Sequence, residues 1–170
     1  MNTVVLPGYS SKNKEWLDEL RQKAGIKPLD TIEWDHWRNE NPSLNWIKTE
    51  VSKIINTYGN EKINVIAKSL GTLIAMNVLN QKFEIFNKII LCGIPINDFE
   101  SGDEGMYDIL SKFPSEKVIC IQNSNDNHGN YDQIRKLLNS VNPDIQLISK
   151  ESSDHNYPYY EDFRSFLKSI

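Results

Sequence analysis

The sequence has few cysteines and histidines and no long run of charge or of hydrophobic residues. Two cysteines occur in 170 residues, Cys92 and Cys120, and each lies inside an apolar run. Buried reduced thiols of this kind favour a reducing compartment over a secreted domain held by disulfides. We therefore expect a cytoplasmic protein.

Charge and hydropathy exclude two classes of partner. The formal net charge of -4 is spread along the chain without a cluster of Lys and Arg, so neither a nucleic acid nor an anionic membrane surface is an expected partner. No stretch approaches the ~20 apolar residues of a membrane-spanning helix. The short apolar N-terminus runs into Pro7-Gly8, so we expect it to be a strand rather than a signal peptide.

Repeats, low-complexity tracts and Pro/Gly/Ser-rich linkers are also lacking, which predicts a single domain over residues 1–170. There is no G-x-G-x-x-G or Walker pattern, and the scattered histidines and cysteines lack the spacing of a zinc site. We therefore expect neither a cofactor nor a metal.

What the sequence does contain is a regular alternation of short Val/Ile-rich runs and longer stretches with helical spacing. The predicted strands are Asn2–Leu6, Thr31–Trp34, Ile63–Ala67, Lys88–Cys92, Lys117–Gln122 and Ile145–Ser149. The predicted helices are Lys14–Lys23, Pro42–Tyr58, Leu70–Asn80, Tyr131–Ser140 and Tyr159–Lys168. This order indicates an α/β fold with a mostly parallel sheet covered by helices on both faces.

Ligands of such sheets bind beyond the carboxyl ends of the strands, so chemistry is expected in the residues that follow each strand. A serine, an acid and a histidine occupy those positions in the chain order Ser69, Asp126, His155.

The segment Ala67-Lys68-Ser69-Leu70-Gly71 joins a predicted strand to a predicted helix. A sharp turn there needs small residues on both sides of the displayed one, and Ala67 and Gly71 satisfy that need. The N–H of Leu70, at the start of the helix, is available to stabilise an oxyanion. The pentapeptide alone is equally typical of a serine that caps a helix; the flanking elements favour a nucleophile.

The chain resembles the small, lidless serine hydrolases of the α/β-hydrolase superfamily. Ala67–Gly71 carries the resemblance most sharply, and Leu6-Pro7-Gly8-Tyr9, Asp126 and Asp154-His155 carry it more loosely. The resemblance implies a three-layer sandwich with a six-stranded sheet that lacks the first two strands of the full fold, so that Asn2–Leu6 lies inside the sheet. Two departures are Ala67 in place of the commoner glycine and Pro7 in place of histidine.

The resemblance also implies roles. Ser69 is the expected nucleophile, His155 the base that activates it and Asp126 the acid that orients the histidine. Asp98 is the alternative acid. The competing interpretations are a surface histidine at His155 and a turn residue at Asp126.

The second oxyanion donor is expected at the N–H of Tyr9, in the loop after the first strand, with Ser10 as an alternative. Ser10, Trp34, His36 and Met106 are candidate substrate-binding residues, although the aromatic ones are equally compatible with the core. We expect Lys68 to make a structural or electrostatic contact rather than form a dyad with Ser69.

Together these features predict a cofactor-free hydrolase of esters, thioesters or amides, with a small-molecule acyl substrate. One alternative is a binding protein that keeps the fold without turnover. Another is a flavodoxin-like nucleotide or flavin binder, for which residues 7–11 form a poor phosphate-binding loop. Oligomeric state is not indicated.

Overall fold

The computed structural model describes residues 1–38 and 44–169. Six strands alternate there with five α-helices. The strands are β1 (Asn2–Leu6), β2 (Leu29–Thr31), β3 (Ile63–Lys68), β4 (Phe86–Cys92), β5 (Val118–Asn123) and β6 (Gln146–Lys150). The helices are α1 (Asn13–Lys23), α2 (Trp46–Tyr58), α3 (Leu70–Gln81), α4 (Tyr131–Val141) and α5 (Tyr160–Lys168).

All six strands form one parallel sheet in the order β2-β1-β3-β4-β5-β6. The predicted α/β fold with a six-stranded parallel sheet is therefore confirmed, and β1 lies inside the sheet rather than at its edge. Every residue of β3 and β5 is buried, as expected for strands covered on both faces.

Helices cover the two faces and complete a three-layer sandwich. Neighbouring strand residues point to opposite faces, so each strand contributes to two cores. Val5 and Ile66 pack with α1 and α5, whereas Val4 and Val65 pack with α2, α3 and α4.

Most boundaries lie within two residues of the sequence prediction, and two elements differ by more. The second strand occupies Leu29–Thr31 instead of Thr31–Trp34, and Trp34 is fully buried outside any strand. The helix predicted from Pro42 begins at Trp46, and Pro42 itself lies outside the described residues.

The connection between β4 and β5 crosses the carboxyl edge of the sheet and includes a 3₁₀ segment, Glu104–Lys112. This segment packs on α3, where the hydroxyl groups of Tyr107 and Thr72 are hydrogen-bonded at 2.6 Å. Pro95, Asp98 and Met106 of this connection line the same cavity as Ser69, which follows β3.

Candidate active site

Ser69 occupies the single residue between the end of β3 and the start of α3. Its backbone has φ 54° and ψ -129°, and it is the one non-glycine residue with positive φ among those described. Such a conformation costs on the order of 1–3 kcal/mol and persists where surrounding structure imposes it. Here the Ser69 N–H donates to the carbonyl of Cys92 at 2.9 Å, and its carbonyl accepts from Thr72 N–H at 2.8 Å.

The turn at Ser69 depends on close contact between α3 and β1. A Cβ atom on Gly71 would lie 2.2 Å from the carbonyl oxygen of Leu6 and 2.6 Å from that of Pro7. Only glycine fits this approach of helix and strand backbones. Ala67, the other small residue of the pentapeptide, is fully buried.

His155 and Asp126 form a hydrogen-bonded pair at the same edge of the sheet. Asp126 lies in the loop after β5 and is 2 % exposed, whereas His155 follows β6. The Nδ1 of His155 donates to Oδ2 of Asp126 at 2.6 Å. Its Nε2 is buried and has no hydrogen-bond partner within the described ranges.

The Asp126 carboxylate accepts two further hydrogen bonds. The buried Tyr157 hydroxyl donates to Oδ2 at 2.6 Å, and the His128 N–H donates to Oδ1 at 2.9 Å. Burial opposes ionisation of Asp126, but the hydrogen bonds from His155, Tyr157 and His128 outweigh it and hold the pKa of this carboxyl group below its ordinary value. Asp126 is therefore an ionised acceptor that fixes the tautomer of His155.

The loop after β1 lies against Ser69, since a Cβ on Gly8 would be 3.1 Å from the Cβ of Ser69. Neither Tyr9 N–H nor Leu70 N–H has a hydrogen-bond acceptor among residues 1–38 and 44–169. Both N–H groups are thus available to a ligand beside Ser69.

Side chains donate hydrogen bonds to the carbonyl groups of the first four residues of this loop, Pro7 to Ser10. The Trp34 indole donates to Pro7 and Gly8, at 3.3 and 3.0 Å. The Tyr9 carbonyl accepts from His36 Nε2 at 2.8 Å and from Trp37 Nε1 at 2.6 Å. The Ser10 carbonyl accepts from Asn13 Nδ2 at 2.8 Å.

Ser69 and His155 line one cavity of about 800 Å³. Tyr9, Ser10, Leu70 and Met106 line it as well. A cavity of this size is typical of small-molecule sites.

We compared the chain and its fold with known proteins. No protein-family model and no curated protein matches the chain. Solved structures do match. N-formylmaleamic acid deformylase from Pseudomonas putida S16 superposes with a TM-score of 0.68 at 11% identity, covering 99% of this chain and 91% of that one. A serine hydrolase without lid from Xanthomonas campestris gives 0.66 at 10% identity, covering 98% and 79%. Mouse alpha/beta hydrolase domain-containing protein 10 gives 0.66 at 12% identity, covering 98% and 87%.

The chain has the α/β-hydrolase fold. The strand-to-helix turn that displays Ser69 and the loops that carry Asp126 and His155 all lie at the carboxyl edge of its sheet. The sequence resemblance to that superfamily is thereby confirmed for the fold.

Two of the four predicted substrate-binding residues do not line the cavity. Trp34 is fully buried in the core, because its indole N–H is directed to the carbonyls of the loop after β1. His36 packs outside the cavity, where its ring stacks on Tyr9 at a centroid distance of 4.5 Å. Both residues instead brace the loop that carries Tyr9.

Asp98 belongs to a second acid–histidine pair and does not contact His155 through a hydrogen bond. Its Oδ2 accepts from Nδ1 of His128 at 2.6 Å, so Asp98 and Asp126 serve different histidines. The His128 ring lies 4.3 Å from that of His155 and also faces the cavity. The sequence did not predict that His128 pairs with Asp98 and lines the cavity, although its position in the loop after β5 was a usable signal.

Lys68 points away from the cavity that holds Ser69. Its ammonium group is buried, donates to Asn13 Oδ1 at 2.8 Å and lies 5.4 Å from the centre of the Trp16 ring. Burial lowers the pKa of Lys68. Lys68 makes the structural contact predicted for it, because Asn13 also holds the Ser10 carbonyl.

Over the described ranges, no group of three or more His, Cys, Asp or Glu side chains is arranged to hold a metal ion. No helix in these ranges is long and apolar enough to cross a membrane.

Proposed function

We propose that this chain is a serine hydrolase that cleaves ester bonds, or related thioester or amide bonds, of small-molecule acyl substrates. One observation carries the proposal. Ser69, in a strained conformation, faces the same cavity as His155, and His155 is fixed by a buried carboxylate. A strained backbone at a single residue that faces a cavity is typical of functional sites.

In the proposed first step, Ser69 Oγ attacks the acyl carbonyl carbon while His155 Nε2 takes the hydroxyl proton. Asp126 holds Nδ1–H of His155 and stabilises the imidazolium that forms. The carbonyl oxygen becomes an oxyanion, and the N–H groups of Tyr9 and Leu70 donate hydrogen bonds to it.

In the second half of the cycle, the imidazolium of His155 returns its proton to the leaving group as the bond to that group breaks. Water then attacks the acyl-Ser69 intermediate, with His155 again taking a proton, and releases the carboxylic acid. The names of the structural neighbours, a deformylase and a serine hydrolase, are consistent with this chemistry.

The proposal is tested with a fluorophosphonate probe, which phosphonylates activated serines, followed by mass spectrometry of the adduct. We expect labelling at Ser69, no labelling in Ser69→Ala and a sharp decrease in His155→Ala. Ser52→Ala, which changes an exposed serine on α2, is the matched control.

Absence of labelling between about pH 6 and pH 9 in the folded protein would contradict the proposal, since a general base of this type works near neutral pH. A non-catalytic binding protein of the same fold would give that result.

A further inference from the structure

The cavity around Ser69 extends well beyond the space that the reacting atoms need. Its volume of about 800 Å³ lies toward the upper end of the range of ~300–1,000 Å³ that is usual for small-molecule sites. An acetyl or formyl group beside Ser69 would leave most of it unfilled. The remaining space therefore bears on which acyl group the site accepts.

Helix α3 forms the floor of this space. Leu70, Leu73 and Asn77 line the cavity, and their spacing places them along one face of the helix. From Ser69 to Asn77 the helix rises about 12 Å, at ~1.5 Å per residue. The floor is apolar near Ser69 and becomes polar only at Asn77.

Two further elements that pack on α3 complete a trough on this floor. Trp46 and Ile47, at the start of α2, line the cavity, and so does Met106 from the segment Glu104–Lys112. This segment is fixed to α3, because the Met106 carbonyl accepts from Asn80 Nδ2 at 3.0 Å. Met106 is 37 % exposed, so apolar surface faces the open trough.

Charge at the rim restricts what enters. Asp98, Glu100 and Asp103 line the cavity, whereas Lys48 is the one Lys or Arg side chain among its described lining residues. Even with Asp98 hydrogen-bonded to His128, Glu100 and Asp103 leave two carboxylates against one ammonium group, which disfavours an acyl chain that ends in a carboxylate.

We propose that this trough binds a linear, uncharged acyl chain of medium length, so that the preferred substrates are medium-chain acyl esters. The proposal rests on the proposed function, since Ser69 supplies the attack at one end of the trough. The chain lies along α3 over Leu70 and Leu73, between Ile47 and Met106, with its end near Asn77.

The first measurement is kcat/KM for p-nitrophenyl acetate, butyrate and octanoate with the wild-type protein. Each methylene group removed from water contributes about fourfold to kcat/KM. We therefore expect octanoate to exceed butyrate by at least about tenfold, with part of the chain left in solvent. The corresponding ester with a terminal carboxylate on the same chain is expected to react at least about tenfold more slowly than octanoate.

A variant locates the chain in the trough. Asn77 bonds only its own helix, through the Leu73 carbonyl at 2.9 Å, so Asn77→Trp fills the far end of the trough with little other change. We expect it to lower the octanoate-to-butyrate ratio about tenfold. Lys136→Trp, at an exposed position on α4 outside the trough, is the matched control and should leave the ratio unchanged.

The outcomes separate the two proposals. Hydrolysis of butyrate without a preference for octanoate, or an unchanged ratio in folded Asn77→Trp, overturns the acyl trough and leaves the hydrolase standing. Equal rates for octanoate and its carboxylate-ended counterpart overturn the requirement for an uncharged chain. Failure to hydrolyse any ester, together with no fluorophosphonate adduct at Ser69, overturns both proposals.

Discussion

The carboxylate of Asp126 has three hydrogen-bond donors on its two oxygen atoms. His155 and Tyr157 both donate to Oδ2, and the His128 backbone donates to Oδ1. Because an ionised carboxylate only accepts, His155 must carry its proton on Nδ1, which leaves Nε2 as the basic atom of the ring. Asp126 thus sets the tautomer of His155 on which the proposed reaction depends.

The first prediction concerns turnover in Asp126→Asn. An amide preserves the shape but offers a donor to Nδ1, which favours the wrong tautomer of His155, so we expect kcat for butyrate to fall about 10⁴-fold. Asp98→Asn changes the partner of His128 instead and should have a far smaller effect. Equal losses in the two variants would assign the acid's role to both residues and contradict the prediction.

A second prediction at this scale concerns stability against acid. The pKa of Asp126 lies below its ordinary value of 3.8 in the folded chain, so the unfolded chain binds more protons between the two values. This contribution to stability is complete above the ordinary value and is lost as pH falls through the folded-state pKa. The free energy of unfolding should therefore decrease with falling pH in that window.

Urea unfolding at a series of acidic pH values checks this dependence, with Asp126→Asn as the comparison. The difference in free energy of unfolding between wild type and variant should shrink as pH falls through the window. A difference that stays constant would show that Asp126 does not change its protonation on unfolding.

At the scale of elements, the site depends on how closely α3 approaches β1. The Cβ of alanine at position 71 would overlap the Leu6 and Pro7 carbonyl oxygens, which are backbone atoms that cannot move alone. We expect Gly71→Ala to destabilise the protein by about 3 kcal/mol or more, or to prevent folding. Gly105→Ala is the matched control, because nothing lies within 4 Å of the added atom.

Thermal unfolding of the two glycine variants, followed by far-UV circular dichroism, distinguishes them. Gly105→Ala should unfold with wild-type behaviour. A Gly71→Ala protein of wild-type stability would mean that α3 and β1 can separate, and Ser69 would then not be held in its strained turn by that contact.

Periodicity predicted most elements, because buried strands and amphipathic helices leave local patterns. It misplaced the second strand, since Trp34 looked like a strand residue in the run Thr31–Trp34. Trp34 is buried for another reason, which is its hydrogen bonding to the Pro7 and Gly8 carbonyls. A contact between residues that far apart in the chain leaves no trace in a local pattern.

In the candidate site too, some features leave a local sequence pattern and others depend on contacts between distant residues. That Ser69, Asp126 and His155 lie at one edge of the sheet was predictable, because each follows a strand and parallel strands end at the same edge. The orientation of His36 away from the cavity and the pairing of Asp98 with His128 depend on how separate loops pack. No spacing rule encodes that packing.

At the scale of the whole molecule, topology alone does not decide between the functions that the sequence left open. The first five strands have the order 2-1-3-4-5, which flavodoxin-like folds share. What favours hydrolysis is local: positive φ at Ser69, and a loop after β1 whose carbonyls are bound by tryptophan and histidine side chains. The proposed function therefore depends on residues that follow the strands, and the parallel sheet brings these residues together at one edge.

That sheet also joins two hydrophobic cores. Interior strands contribute alternate residues to each side, so that Val4 and Val65 belong to one core and Val5 and Ile66 to the other. Neither core can open without exposing the opposite faces of the same strands. We therefore predict that the chain unfolds as one cooperative unit.

Urea unfolding tests this with two probes, because tryptophan fluorescence reports from both sides of the sheet through Trp16 and Trp34, while circular dichroism reports on all helices. The two transitions should coincide. Phe163→Ala, at a fully buried position on α5, should lower stability by about 3–5 kcal/mol and shift both transitions together. Phe83→Ala, at a position 37 % exposed, is the matched control and should cost less than half as much. If Phe163→Ala moved only one probe's transition, the layer formed by α1 and α5 would be unfolding independently of the rest of the sheet.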